Sequence, residues 1–89
     1  MLRRMQALVR ASEYVVTLHS HEEMEADGLT VSNVEHVVLT GRIVERQRDQ
    51  RRREWKYLVQ GDTLEGDAAV VVSKIGPTRK LVVVTLYAA

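Results

Sequence analysis

The chain contains no cysteine and no phenylalanine, and its 89 residues include one proline, one tryptophan and three tyrosines. The lack of cysteine excludes a disulfide framework, a thiolate zinc site and a thiol nucleophile. No apolar run approaches the length that spans a bilayer. Arg3, Arg4 and Arg10 interrupt the N-terminal segment, which a signal peptide would keep apolar. These absences predict a cytoplasmic protein that has no membrane segment.

The composition predicts one globular domain over residues 1–89. With 45% hydrophobic and 28% charged residues, the chain has apolar material for one modest core and does not have a disordered composition. The net charge of +1 hides an uneven distribution. Five acids and no Lys or Arg lie between Glu13 and Asp27, whereas Arg42 to Lys56 carry a local balance of +4. Such a surface attracts an anionic ligand to one region and repels it from the other.

The first half of the chain predicts helices around one short strand. Apolar residues at helical spacing predict a helix over residues 2–11. Residues 14–18 are rich in β-branched side chains and predict a strand on which Thr17 and His19 would share a face. A second helix is predicted over residues 19–26.

A third helix is predicted from a capping signal. Ser32 and Glu35 have capping-box spacing, and Gly41 is placed to end the helix. The residues between them form an apolar stripe at helical spacing: Val31, Val34, Val37 and Val38.

The second half predicts four strands. Residues 42–48 and 54–60 read as a hairpin around an arginine-rich turn. The runs 68–72 and 81–84 are continuously apolar, which is typical of central strands covered on both faces. Valines 71 and 83 are therefore expected to be buried. The element order predicts an α+β fold: helix, strand and two helices, followed by four mostly antiparallel strands.

Alternation along the third predicted strand separates two sets of side chains. Trp55, Tyr57 and Val59 would share one face, and the side chains at positions 56, 58 and 60 would share the other. Trp55 and Tyr57 both lie next to the arginine-rich turn, where aromatic rings are suited to stacking on unpaired bases. Because the chain lacks phenylalanine, a place in the core is the expectation for Trp55. Tyr57 is open to either a core role or stacking on an unpaired base.

The arginine-rich segment 46–53 is the strongest local signal for a ligand. Guanidinium groups fork onto phosphate oxygens, so the segment predicts contact with nucleic acid. The alternative is a solvated turn that protects a hairpin edge from aggregation. The residues concerned are Arg46, Arg48, Arg51, Arg52 and Arg53.

His19 and His21 form a His-x-His pair that allows three interpretations. An imidazole near neutrality is suited to general acid–base work on RNA. A metal site would need further ligands from His36 or nearby carboxylates. The structural alternative is a ring hydrogen-bonded to backbone at a strand-to-helix junction.

The order of elements, with Thr17-Leu18-His19 early and Thr85-Leu86-Tyr87 at the close, resembles a bacterial family of small domains, domain of unknown function 4258. The resemblance covers residues 2–87. The family is similar to compact RNA-cleaving toxins of the RelE and motility-quorum-sensing-regulator types. His19, Tyr57, Gly61, Thr85 and Tyr87 match the family pattern.

The resemblance implies metal-independent RNA cleavage with no cofactor. It implies that His19 is a general base or acid, and that Lys56, Tyr57 and Tyr87 hold the scissile phosphate at one end of the sheet. Since Lys56 and Tyr57 point to opposite faces, only one of them would face the substrate. The RNA-binding set would be the five arginines together with Gln60.

The expected partners are RNA, free or on the ribosome, and a cognate antitoxin, for which a small zinc-finger protein of the CxxC type is the implied candidate. The expected function is that of a toxin-like endoribonuclease. The alternatives are a non-catalytic RNA- or ribosome-binding module, or a protein-interaction domain.

Overall fold

The computed structural model describes all 89 residues and contains three helices and one five-stranded mixed sheet. The predicted α+β class and element order are confirmed. In chain order the elements are α1 Leu2–Arg10, β1 Tyr14–Val16, α2 Leu18–Ala26, α3 Val31–Thr40, β2 Arg42–Asp49, β3 Glu54–Asp62, β4 Ala68–Ile75 and β5 Leu81–Ala88.

The sheet has the strand order β1-β5-β4-β3-β2, with β1 parallel to β5 and every other pair antiparallel. Because β1 pairs with β5 only as far as Val83, it leaves the rest of the β5 edge unpaired. Helix α2 lies along that edge. The hydroxyl of Ser20 lies 3.1 Å from the carbonyl oxygen of Val83 and also reaches that of Val84. The helix thus covers an edge that would otherwise expose backbone hydrogen-bonding groups.

The main core lies between the helices and one face of the sheet. The α3 stripe supplies three of its residues, as predicted, and Val71 and Val83 are fully buried, also as predicted. The complete buried cluster is Met5, Val9, Met24, Val34, Val37, Val38, Val59, Ala69, Val71, Leu81, Val83 and Leu86.

The opposite face of the sheet, which we call the open face, carries no helix. Its buried cluster has only three members, Leu58, Val70 and Val72, with Val84 packed against them. The expectation that β4 and β5 are covered on both faces is therefore wrong. All three helices pack on the other face of the sheet. On the open face, the apolar side chains of the two runs pack against side chains of the neighbouring strands.

Two helix starts differ from the predicted ones because threonine side chains cap them. Thr17 has extended backbone angles, and its hydroxyl oxygen accepts a hydrogen bond from the Ser20 amide at 3.1 Å. The strand therefore ends at Val16, and His19 lies in the first turn of α2 and not on β1. Thr30 caps α3 in the same way, so Ser32 lies inside that helix.

Helix α3 ends directly on β3 at two glycines. A Cβ on Gly41 would lie 2.5 Å from the carbonyl oxygen of Gln60, and a Cβ on Gly61 would lie 2.3 Å from that of Val37. Gly41 has a φ of −96°, so the requirement there is for space and not for a left-handed backbone. This close approach fixes the helical layer against the sheet.

We predict that Val71→Asp unfolds the domain. Val71 is fully buried on the central strand, and an unpaired buried charge costs several kcal/mol against a total stability of about 5–15 kcal/mol. The measurement is thermal unfolding by circular dichroism. Val44→Asp is the matched control, because Val44 is 45% exposed on the edge strand β2. A Val71→Asp variant that melts cooperatively near the wild-type temperature would contradict the assigned core.

Candidate nucleic-acid site

A groove of about 450 Å³ crosses the open face between the start of α2 and the tip of the β2–β3 hairpin. We call it the open-face groove. One wall comes from the helix, the floor from β3, β4 and β5, and the far wall from the hairpin turn. Its lining residues are Thr17, His19, Asp49, Arg51, Arg52, Lys56, Lys74, Val82 and Val84.

Strand register places two lysines side by side on the groove floor. Tyr57 pairs with Ser73 across β3 and β4, so Lys56 and Lys74 follow at neighbouring positions on the open face. Lys74 also forms an ion pair with Glu54, with 2.7 Å between Nζ and Oε2. Sequence reasoning missed Lys74. The signal in the sequence was a lysine in a mostly apolar strand, at a position that alternation places on the open face.

The groove lining carries an excess of positive charge. Arg51, Arg52, Lys56 and Lys74 face a single carboxylate among the lining residues, that of Asp49. Of these four cations only Lys74 takes part in an ion pair within the chain. The electrostatic potential of the groove therefore favours an anion, and three of its cations have no carboxylate to displace.

Asp49 shapes the hairpin turn that carries the two groove arginines. Its Oδ1 accepts hydrogen bonds from the backbone amides of Arg51 and Arg52, at 3.0 and 3.2 Å. The bond from Arg52 is the main reason that the pKa of Asp49 lies below its ordinary value. The nearby charges of Lys56 and Arg52 act in the same direction. The turn is therefore held by an ionised aspartate, as in an Asx turn.

His19 is held by a carboxylate. Its Nε2 contacts Oε1 of Glu23, one helical turn along α2, and Oε2 of Glu23 accepts a hydrogen bond from the Thr85 hydroxyl at 3.0 Å. The His19 ring makes no hydrogen bond to the backbone, so the contact that the structural alternative required is absent. The imidazole is 78% exposed, and its Nδ1 has no partner in the chain. A carboxylate on one nitrogen orients the ring and leaves the other nitrogen free for a proton.

A bulge in β5 supports this arrangement. Val72 pairs with Thr85 whereas Ser73 pairs with Val83, so Val84 is an extra residue in the register. An extra residue re-aims the side chains beside it. The Thr85 hydroxyl thereby reaches the Glu23 carboxylate on α2.

The three histidines do not converge. His36 lies in the middle of α3, where its Nδ1 is 2.6 Å from the carbonyl oxygen of Asp62. His21 is half-buried on α2. No group of three His, Asp or Glu side chains is placed to share one metal ion.

The structure brings together two of the four residues expected at one catalytic site. His19 and Lys56 both line the open-face groove. Tyr57 lies on the opposite face, where it packs against the main core. Tyr87 is 40% exposed, and its register with Val70 puts it toward the far end of the open face. The expectation that all four gather at one end of the sheet is therefore wrong.

The arginine-rich segment divides between the two faces of the hairpin. Arg51 and Arg52 line the open-face groove, whereas Arg46 and Arg48 belong to β2 and lie over the ring of Trp55. Trp55 is 36% exposed, so the prediction that it lies in the core is wrong. The buried residues of β3 begin only at position 58, which leaves the hairpin end of the strand uncovered.

The remaining two residues of the expected RNA-binding set lie outside the groove. Arg53 lines hollows beside Trp55. Gln60 pairs with Arg42 and Val70 at the far end of β3 and lines a separate hollow beside Gly41.

Comparison with known proteins places the chain in a family. Residues 16–88 match the model of the family described as domain of unknown function (DUF4258), and the chain belongs to that family. The match includes every residue that lines the open-face groove. No curated protein and no solved structure matches the chain. None of the helices is long and apolar enough to cross a membrane.

We predict that RNA binds through the hairpin turn with a steep dependence on salt. Replacing Arg51, Arg52 and Arg53 with serine should reduce the slope of log affinity against log salt by about 2, because each single-strand phosphate contact contributes about 0.7. All three side chains are exposed, so the melting temperature should stay nearly unchanged. The measurement is fluorescence anisotropy of a labelled single-stranded RNA at several salt concentrations. Replacement of Arg3, Arg10 and Arg79 with serine is the matched control, because these three arginines are also exposed but lie outside the groove. Equal slopes for the wild type and the hairpin variant would contradict the prediction.

Proposed function

We propose that the domain is a toxin-like endoribonuclease, which binds single-stranded RNA in the open-face groove and cleaves it without a metal ion. The observation that supports this most directly is the composition of the groove. A carboxylate-held imidazole and three cations without ion-pair partners line the same hollow. Metal-free cleavage of RNA needs this combination: a base, an acid and positive charge at the phosphate.

In the proposed reaction His19 takes the proton of a ribose 2′-hydroxyl on its free Nδ1. The 2′-oxygen then attacks the adjacent phosphorus, and the bond from phosphorus to the 5′-oxygen breaks. The products are a 2′,3′-cyclic phosphate and a free 5′-hydroxyl. Glu23 stabilises the imidazolium that forms, because its carboxylate already contacts Nε2. In this role Glu23 is a positioning residue.

The cations of the groove stabilise the pentavalent phosphorane. Arg51 and Arg52 supply guanidinium groups that match phosphate oxygens, and Lys56 supplies a mobile ammonium group. We assign to Lys56 the proton that the leaving 5′-oxygen requires, since it lies on the floor of the same groove. Helix α2 begins at the groove wall, where first-turn amides add donors for an anion.

The tyrosines take different parts in this proposal. Tyr87 and Gln60 lie beyond the groove along the open face, where they extend the surface for the RNA strand. Tyr57 packs into the core and supports the strand that carries Lys56.

The test is cleavage of a long single-stranded RNA by the purified protein in EDTA. His19→Ala and Lys56→Ala should each lower the rate by about 10²–10⁴, the usual contribution of a positioned acid or base. Glu23→Gln should lower the rate less than His19→Ala. Tyr57→Phe is the matched control and should cleave nearly as the wild type does, because Tyr57 packs against the main core.

Two outcomes would overturn the mechanism. Loss of wild-type cleavage in EDTA would point to a metal-dependent reaction. Wild-type rates for both the His19 and Lys56 variants would show that the reaction occurs elsewhere on the protein. A substrate with a single 2′-deoxy nucleotide at the cleaved position checks the chemistry, because it has no nucleophile.

A second candidate function is a non-catalytic RNA- or ribosome-binding module. It is favoured by the exposure of His19, since general bases are more often sheltered from water. Under this alternative the wild type binds RNA with the salt dependence given above but cleaves nothing, free or with ribosomes.

An active endoribonuclease in a bacterial cytoplasm would need an inhibitor. We propose a cognate antitoxin, and the family resemblance implies a small zinc-finger protein. Its acidic side chains would occupy the open-face groove, where they would compete with RNA for Arg51, Arg52 and Lys56.

A further inference from the structure

A second cationic surface lies on the other face of the β2–β3 hairpin, around Trp55. The guanidinium carbons of Arg46 and Arg48 lie 4.8 and 5.1 Å from the centroid of the indole ring. Arg48 is the cross-strand partner of Trp55, and Arg46 is the next residue of β2 on the same face. The three side chains form one cation–π cluster, which we call the Trp55 cluster.

The charges of the Trp55 cluster are not neutralised within the chain. Neither Arg46 nor Arg48 takes part in an ion pair, and no guanidinium donor of either residue has an acceptor in the chain. The nearest carboxylates of β2 are engaged elsewhere: Glu45 accepts a hydrogen bond from Gln47, and Asp49 holds the turn. The cluster therefore offers free donors and an aromatic ring at one exposed place.

The surface around Trp55 is concave. One hollow of about 410 Å³ is lined by Arg48, Gln50, Arg53 and Trp55. A second hollow, of about 270 Å³, is also lined by Trp55, and its charged residues are Arg4, Arg53 and Glu54. Arginine side chains thus reach both hollows beside an indole ring that is partly exposed.

We propose that the Trp55 cluster is a subsite for one unpaired nucleotide of the RNA whose backbone lies in the open-face groove. The base stacks on the indole and guanidinium planes, and Arg48 and Arg53 bind the adjoining phosphate. The strand passes from one face of the hairpin to the other over Arg51 and Arg52, which form the turn between them. This inference rests on the proposed function and names single-stranded RNA as its substrate class.

Base stacking explains the cluster better than an acidic protein partner does. A flat aromatic ring beside guanidinium planes fits the π-face of any base, and this mode needs no sequence-specific contacts. An acidic peptide would use the arginines and leave the indole without a function. A duplex would also be excluded, since its bases are already stacked on their neighbours.

The test uses Trp55 as its own reporter, because it is the only tryptophan in the chain. The probe is a short 2′-O-methyl uridine oligonucleotide, which has no nucleophilic 2′-hydroxyl. We expect it to quench Trp55 fluorescence on binding, whereas inorganic polyphosphate should bind without comparable quenching. Trp55→Leu should weaken binding of the oligonucleotide, measured by anisotropy, about tenfold, the typical loss of one stacked base. Trp55→Phe should restore most of the affinity.

Several outcomes would overturn the subsite. These are equal affinity of the Trp55→Leu and wild-type proteins for the oligonucleotide, or equal quenching by polyphosphate or by a polyglutamate peptide. Melting curves of both variants check that they are folded. If Trp55→Leu does not fold, the Trp55→Phe variant and the quenching of wild-type Trp55 still test the subsite. The readout does not depend on catalysis, so quenching without cleavage rejects the endoribonuclease and keeps the subsite. Cleavage with no effect of Trp55→Leu on binding rejects the subsite alone.

Discussion

Packing of all three helices on only one face of the sheet is the constraint on which the rest of this structure depends. Three helices contribute to a single core with β3, β4 and β5, and the apolar area that they bury supplies most of the driving force for folding. The contact of Gly41 with Gly61 brings the end of α3 onto β3 with no room for a side chain. Because all three helices pack on that face, the other face stays open, and Lys56 remains available to a ligand.

Although the net charge of the chain is only +1, cationic side chains are concentrated on the open face and on the β2–β3 hairpin. Alternation along β3 sends Lys56 to the groove and Trp55 to the other side, so one hairpin presents cations on both faces. The α2 helix covers the unpaired edge of β5 and at the same time brings the His19–Glu23 pair to the groove wall. Helix α2 thus both covers the edge of the sheet and positions two residues of the proposed site.

Periodicity along the chain was sufficient to predict the element order, the α3 stripe and the burial of Val71 and Val83, because local spacing and hydrophobicity determine these features. The end of β1 was misjudged, since a threonine at the end of a β-branched run serves equally as a strand residue and as a helix cap. The positions of Trp55 and Lys74 depend on how far the helices extend over the sheet and on the register between strands. Neither property can be inferred from a short stretch of sequence, so the roles of Trp55 and Lys74 became visible only in the structure.

The most direct test of the central claim is NMR mapping of valine methyl groups during titration with a non-cleavable 2′-O-methyl RNA. Val82 and Val84 line the open-face groove, whereas Val37 and Val71 lie in the core on the helix side of the sheet. The account predicts large shift changes for Val82 and Val84, and small ones for Val37 and Val71. Saturable RNA binding that leaves the signals of Val82 and Val84 unchanged would contradict it.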